Sequence, residues 1–435
     1  MSLTSLYYIN MATVESPLLR PSSQHSSPPD ITQKDSQRRC INIHSRSAKI
    51  LAVYWTFLIM GAGDAAYGIE SYYSISYTVV SLLFLSPVCG YTLAAILNHE
   101  IHVRLGRRGV ACIHSFCHLF TFIVASLHPP YPILVLSLAV GGIANGVADS
   151  GWNAWIGDMA NSNELLGMLH GLYGVGAVVS PLLASLLISK ANCPWFRFYN
   201  VMAGFAVIEA IVSISAFWKS GPEEFQDNDS IDENQRGGLR RVLTQKPYAL
   251  VTWCCASYLL IYVGIEVAMG GWTVTYMMKV RDGDPFASGM VATGFWLGLT
   301  FGRFVLGFVT SRIGTSFAIT AYSSAAFLFT LAFWILPNFY AAAVAIALQG
   351  FFLGPLFPSM IVVVTRILPR SLHVSSIGFA SAVGGAGAAV LPFTVGAIAQ
   401  SRGVGVLPVF IIGLLGGLFT LWLCLSRMLR LAEES

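Results

Sequence analysis

Charged side chains are scarce in this sequence. Only 11% of its residues are Asp, Glu, Lys or Arg, against roughly 25% in an ordinary soluble domain. With 55% hydrophobic residues and a mean hydropathy of +0.66, a water-soluble fold would expose far more apolar surface than water tolerates. Lipid is the natural solvent for such a chain. A second shortage concerns cysteine pairs. Of the eight cysteines, only Cys193 falls in an expected outer loop, and it has no partner there, so no disulfide is expected. An early apolar segment is also missing. About 48 polar residues precede the first one, so no cleavable leader is expected.

What the sequence does have is long apolar runs. A bilayer core needs roughly 20 apolar residues per helix. Twelve stretches meet this, near 49–69, 77–97, 109–127, 132–156, 165–189, 197–218, 247–269, 286–311, 316–336, 338–365, 374–399 and 405–426. Backbone groups in lipid must be satisfied within the segment, which predicts helices. The net charge of +4 is unevenly spread. Nineteen of the 25 Lys and Arg fall in tails and inner loops, five in outer loops, and Arg303 inside a span. That bias orients both termini to the cytoplasm and reads as a topology signal, not as a nucleic-acid surface.

The expected organisation is a disordered tail (1–48), a six-helix bundle (49–218), a polar central loop (219–246), a second six-helix bundle (247–427) and a short tail (428–435). The halves resemble each other. Gly174 to Pro181 and Gly385 to Pro392 match at five of eight positions, offset by 211. Gly142 and Gly146 match Gly350 and Gly354, offset by 208. Arg104-Leu105-Gly106 matches Arg312-Ile313-Gly314, again offset by 208. Gly pairs let helices pack closely. An inverted or parallel repeat also suits a rocking transporter with its site at the midplane.

Carboxylates at membrane depth usually face a cavity or a partner. In the fourth span, Asn145, Asp149, Trp152 and Asn153 fall at i, i+4, i+7 and i+8, one helix face. The stripe predicts a cavity wall, with structural hydrogen bonds as the competing reading. Asp64 lies among small residues, Gly61 to Gly68, and suits a proton site or a structural ion pair. Tyr258, Tyr262 and Glu266 share a face of the seventh span, and Gly270 and Gly271 are expected to break that helix before Trp272. His170, Tyr173 and Gln349 complete the candidate lining. Arg303 is expected to anchor an ion pair near the cytoplasmic side, and Arg104, Arg107 and Arg108 to form a conformational latch. Glu209 reads as isolated and structural. His114 and His118 share a face, but no carboxylate sits at ligand spacing beside them, so no metal site is expected. No paired nucleophile and base and no phosphate-cradling loop are present, so neither an enzyme nor a cofactor is expected.

Twelve spans, the duplication, the polar central loop and the Gly106-Arg107-Arg108 turn together resemble the major facilitator superfamily, from about residue 48 to 428. Within it, Asp64, Asp149-Ser150-Gly151-Trp152-Asn153, Gly302-Arg303 and Gly350 to Ser359 are similar to the fucose permease-like branch, including fungal members. The resemblance implies a secondary transporter working by alternating access. It implies a proton symporter in which Asp64 and Asp149 serve proton coupling and sugar recognition, and Glu266 is expected to support coupling or gating. A small polar solute such as a sugar would meet Asn145, Asp149, Trp152, Asn153, His170, Tyr173, Tyr262, Trp272 and Gln349. A monomer in a plasma or vacuolar membrane is expected. The fourth-helix acid is Asp here where bacterial sugar permeases have Glu. Gly68 passes directly to Ile69-Glu70-Ser71-Tyr72-Tyr73, whereas related members carry a few more residues there. That shortened connection favours an alternative, a non-transporting sensor or scaffold on the same fold.

Overall fold

The computed structural model describes residues 31–64, 82–189, 193–222 and 238–434. Among them the chain is helical, with no strand. The chain divides into two compact units, residues 1–46 and 47–435, and the packing described below is that of the second.

The helices are α1 (Ile31–Asp64), α2 (Leu82–Ser126), α3 (Tyr131–Gly157), α4 (Ser162–Ser189), α5 (Arg197–Phe217), α6 (Gly238–Thr244), α7 (Tyr248–Val280), α8 (Pro285–Ile313), α9 (Thr315–Ile335), α10 (Phe339–Leu353), α11 (Leu356–Ile367), α12 (Arg370–Arg402) and α13 (Leu407–Glu434). Ten helical stretches among the described residues are long and apolar enough to cross a membrane. One of them, within α2, holds both the second and the third expected spans, which meet at Gly106 (φ +64°). The first expected span lies in α1.

Several expectations need adjustment. The first helix begins at Ile31, so residues 31–48 are helical where a tail was expected, while residues 1–30 lie outside the described residues. The shortened connection at Gly68 to Tyr73 also lies outside them. The short helix α6 occupies part of the central loop, and α13 runs on to Glu434. The tenth span is interrupted at Gly354-Pro355 and forms α10 and α11, because proline removes a ladder donor and crowds the preceding turn. The seventh helix is not broken: α7 runs through Gly270 and Gly271. Packing accounts for this, since a side chain at Gly270 would strike the indole of Trp296. The glycine lets a bulky neighbour close on the helix and is not a hinge.

Local signals set the helix ends. Asp284 caps α8 by accepting from the backbone N–H groups of Phe286 and Ala287, with Pro285 in the first turn. Asn338 accepts from Ala341 N–H at the start of α10. Gly314 and Gly403, both at positive φ, terminate α8 and α12.

The sequence repeat is also a repeat of contacts. A side chain at Gly90 would meet the carbonyl of Ala139. At Gly298, 208 residues on, it would meet that of Ala347, also 208 on. Gly142 and Gly350 bear the same relation to Pro87 and Phe295. Gly176 closes on Leu58, and Gly387 on Leu260. Between the halves, α12 packs on α2 and α3, and α4 packs on α8. Each half therefore offers its second and fifth spans to the other, as two related six-helix units facing one another would.

Candidate functional site

The polar residues of the N-terminal half converge on a hydrogen-bonded web. Asp64 ends the described part of α1. Its Oδ1 accepts from Asn145 Nδ2 at 2.8 Å and its Oδ2 from the Tyr173 hydroxyl at 2.9 Å. One turn along α3, Asp149 Oδ2 accepts from the Tyr91 hydroxyl at 2.5 Å and Oδ1 from Asn153 Nδ2 at 2.8 Å. Asn153 Oδ1 in turn takes the Nε2–H of His170 at 3.0 Å. The His170 ring lies against Phe57 and Phe357, with centroids 5.4 and 4.8 Å away.

The stripe expected on α3 is thus real for Asn145, Asp149 and Asn153, and it supplies both carboxylate clusters. Asp149 and Asn153 are buried; Asp64, Asn145 and Tyr173 are partly exposed. Trp152 departs from the stripe. Its ring packs 4.4 Å from Phe217 and against Trp155 and His114, inside the N-terminal half. Seven residues fall about 20° short of two full turns, whereas steps of four and eight run about 40° and 80° past whole turns, so Trp152 lies to one side of Asp149 and Asn153 and its large ring follows the apolar side.

The C-terminal half contributes an ion pair. Arg303 of α8 reaches Glu266 of α7 at 3.1 and 3.3 Å, with both side chains almost entirely buried. The guanidinium also lies 3.5 Å from the backbone carbonyl of His170 on α4. It therefore sits where the halves meet, and its partner is the very acid that was assigned to coupling. Tyr262 is fully buried one turn before Glu266, 6.1 Å from the Phe357 ring. Gln349 is fully buried on α10, and neither end of its amide has a hydrogen-bond partner among the described residues. Trp272 is half-buried and donates its indole N–H to the Pro392 carbonyl at 3.0 Å. It is fastened to α12 and not presented to a cavity.

The cluster after the second span does not form a uniform latch. Arg104 pairs with Glu100 on the exposed face of its own helix at 3.0 Å. Arg107 is half-buried. The Arg108 guanidinium lies 5.5 Å from the Trp218 ring, and its backbone N–H donates to Ser220. Links between the halves at this end come from elsewhere. Asp158 faces Arg370 at 3.5 Å and His373 at 3.1 Å, and Thr365 donates to the Gly157 carbonyl at 3.2 Å.

Sequence reasoning missed Tyr91 and the partnership of Glu209 with the two histidines. Tyr91 belongs to no pattern. Glu209 is not isolated: its carboxylate lies 3.1 Å from His114 Nδ1 and 3.0 Å from His118 Nδ1. The expected absence of an acid beside the two histidines is thereby corrected. It comes from a helix 91 positions away, where no local spacing can reveal it. Histidines at i and i+4 and one uncompensated buried acid were the available signals.

A family model of the major facilitator superfamily matches residues 50–284 and 254–434. The chain belongs to this superfamily. It is a multi-pass membrane protein with the superfamily's fold. It is 30% identical to "Bypass of stop codon protein 6" of Saccharomyces cerevisiae over 420 residues, covering 89% of this chain and 84% of that one. It is 22% identical to the glucose/mannose transporter GlcP of Bacillus subtilis over 267 residues, covering 61% and 65%. Among solved structures it superposes on the E. coli fucose:proton symporter FucP with a TM-score of 0.68 at 13% identity, over 88% of this chain and 98% of that one.

Proposed function

We propose that this protein is a proton-coupled secondary transporter of a small polar solute, of the sugar class, with Asp64 as the proton-binding group and Asp149, Asn153 and His170 as solute contacts. The observation that carries the reading is a pair of carboxylates on two helices, Asp64 of α1 held by Asn145 of α3 and Asp149 one turn further along α3. Neither is neutralised by a Lys or Arg among the described residues, and each accepts two hydrogen bonds from neutral donors. Such a carboxylate exchanges its proton without an ion pair having to be broken. Tyr, Asn and His around it supply the donors and acceptors that polyols need, and the unpartnered Gln349 amide offers two more. The named substrate classes of GlcP and FucP point the same way.

The cross-half packing supports alternating access. The Asp158–Arg370–His373 contacts lie at the end assigned to the cytoplasm by the Lys and Arg bias, and they tie the halves together there. Their release would let the halves rock. The test is solute-dependent proton flux in proteoliposomes containing the purified protein, read with a pH-sensitive dye against a panel of sugars and other polar metabolites. A pH change that one solute class elicits, and that Asp64→Asn abolishes, supports the reading. Labelled-solute counterflow without any pH change replaces it with an uncoupled carrier. Solute binding without counterflow replaces it with a sensor on the same fold.

A further inference from the structure

We propose that His118 and Glu209 form a second proton-binding site, coupled to Asp64 through the amide of Asn145. This rests on the proton-coupled reading above and adds groups that the reading does not use.

The hydrogen bonds dictate the protonation state. His118 Nδ1 faces both oxygens of Glu209 at 3.1 and 3.0 Å, and Nε2 faces Asn145 Oδ1 at 2.8 Å. With the Asn145 amide in the orientation that also donates to Asp64, all three are acceptors, so both ring nitrogens carry hydrogen and His118 is an imidazolium paired with the Glu209 carboxylate. His114 differs. Its Nδ1 points to Glu209 at 3.1 Å, whereas its Nε2 is buried without a partner among the described residues. One donor suffices there, and His114 is neutral. Both rings and the carboxylate are almost wholly buried.

Asn145 then transmits the state. While its Oδ1 is held by the His118 N–H, its Nδ2 must face Asp64, and it donates there at 2.8 Å. An amide donor favours the ionised carboxylate. When His118 loses its Nε2 proton, the bare nitrogen accepts, the amide turns over, and its carbonyl faces Asp64. That arrangement is satisfied only if Asp64 carries a proton to donate. A proton on His118 therefore favours release from Asp64, and a bare His118 favours retention. The charged or titratable groups facing His118 are Glu209 from α5, His114 on its own helix and, through Asn145, Asp64 of α1; Asp149 lies one turn further along α3. The Phe122 ring covers one face, 5.9 Å away.

The three side chains His114, His118 and Glu209 also lie close enough to hold a metal ion, with all ligand atoms within 4.8 Å of one another. The hydrogen-bond pattern favours the proton, because each carboxylate oxygen is satisfied without a metal.

Two measurements test the proposal in the full-length protein. Nitrogen-15 NMR of histidine-labelled protein should show one histidine, identified by its loss in His118→Asn, with both ring nitrogens protonated from pH 6 to 8. A neutral His118 throughout that range overturns the proposal. So does displacement of both His114 and His118 signals by one equivalent of zinc, which would make the cluster a metal centre. In parallel, the pH midpoint of solute binding is compared among variants. Glu209→Gln should move it upward by at least about one pH unit, Glu209→Asp should restore it partly, and the double variant His118→Gln/Glu209→Gln, which leaves no buried charge, should resemble Glu209→Gln. Unchanged midpoints in folded Glu209→Gln and double-variant protein overturn the proposal. If Asp64→Asn itself leaves the pH dependence intact, the proton-coupled reading fails, and the NMR result still decides the state of His118.

Discussion

Asp64 and Glu266 occupy equivalent places in the two halves. The 202-residue offset that relates Leu58 to Leu260, each touched by its half's glycine, also relates Asp64 to Glu266. Their surroundings are opposite. Asp64 accepts from an amide and a phenol, whereas Glu266 is paired with a buried arginine. The same contrast runs along the fourth and tenth spans. At the 208-residue offset, Asn145, Asp149 and Asn153 correspond to Leu353, Phe357 and Ile361, and Tyr91 of the second span to Leu299 of the eighth. Packing was kept in both copies and polarity in one. On the proposed function, the N-terminal half would hold the exchangeable proton and the solute donors. The C-terminal half supplies a fixed ion pair and aromatic walls.

The sharpest way to break this comparison is to neutralise each acid. Asp64→Asn should reduce uptake driven by a pH gradient to background while folded protein persists, because no exchangeable carboxylate remains in the apolar span of α1. Asp149→Asn should remove uptake as well. The double variant Arg303→Met/Glu266→Gln, which deletes the C-terminal ion pair without leaving a lone charge, should retain gradient-driven uptake. Loss of coupling in that double variant, with wild-type coupling in Asp64→Asn, would reverse the assignment of the halves.

Stability should respond in the opposite order. Glu266→Ala leaves the Arg303 guanidinium buried and unpaired, which costs about 3–5 kcal/mol. Thermal denaturation in detergent should show a clear loss for the single variant and a much smaller one for Arg303→Met/Glu266→Gln. Asp64→Asn should be close to neutral in the same assay, since Asn still accepts one hydrogen bond. Equal losses for Asp64→Asn and Glu266→Ala would mean that both acids are structural.

The packing shared by the halves gives a test in which they should agree. Valine at Gly90 or at Gly298 would press on the carbonyl of Ala139 or Ala347. Overpacking of this kind costs about 1–3 kcal/mol. Denaturation midpoints of the two variants should fall by similar amounts. A marked inequality would show that the duplicated contacts no longer carry equal strain.

Periodicity and composition carried the fold, because lipid demands helices of a minimum length and the repeat left its glycines in register. They carried part of the site. Asp64, Asn145, Asp149, Asn153, His170 and Tyr173 were legible as polar residues on apolar helices. Their partners were not. Tyr91, His118 and Glu209 sit on helices whose mutual rotation is set by packing, which no single-helix pattern contains. The same limit misdirected Trp152 and Trp272. An aromatic ring in a polar stripe reads as a binding surface, but whether it faces solute or a neighbouring helix depends on what packs there. Gly270 suggested a hinge for a related reason: glycine marks both a flexible joint and a tight contact, and only the position of Trp296 separates them.

The smallest expected effect belongs to Trp272, and it tests that last distinction. Its indole N–H donates to the Pro392 carbonyl at 3.0 Å, and that bond ties α7 to α12. Trp272→Phe keeps most of the ring and removes one hydrogen bond, a loss of about 1 kcal/mol. Uptake measurements should find the KM for the transported solute unchanged and the denaturation midpoint slightly lowered. A raised KM with unaltered stability would place the ring on the solute after all and return the C-terminal half to the binding site as a polar contributor, narrowing the asymmetry between Asp64 and Glu266 to the ion pair alone.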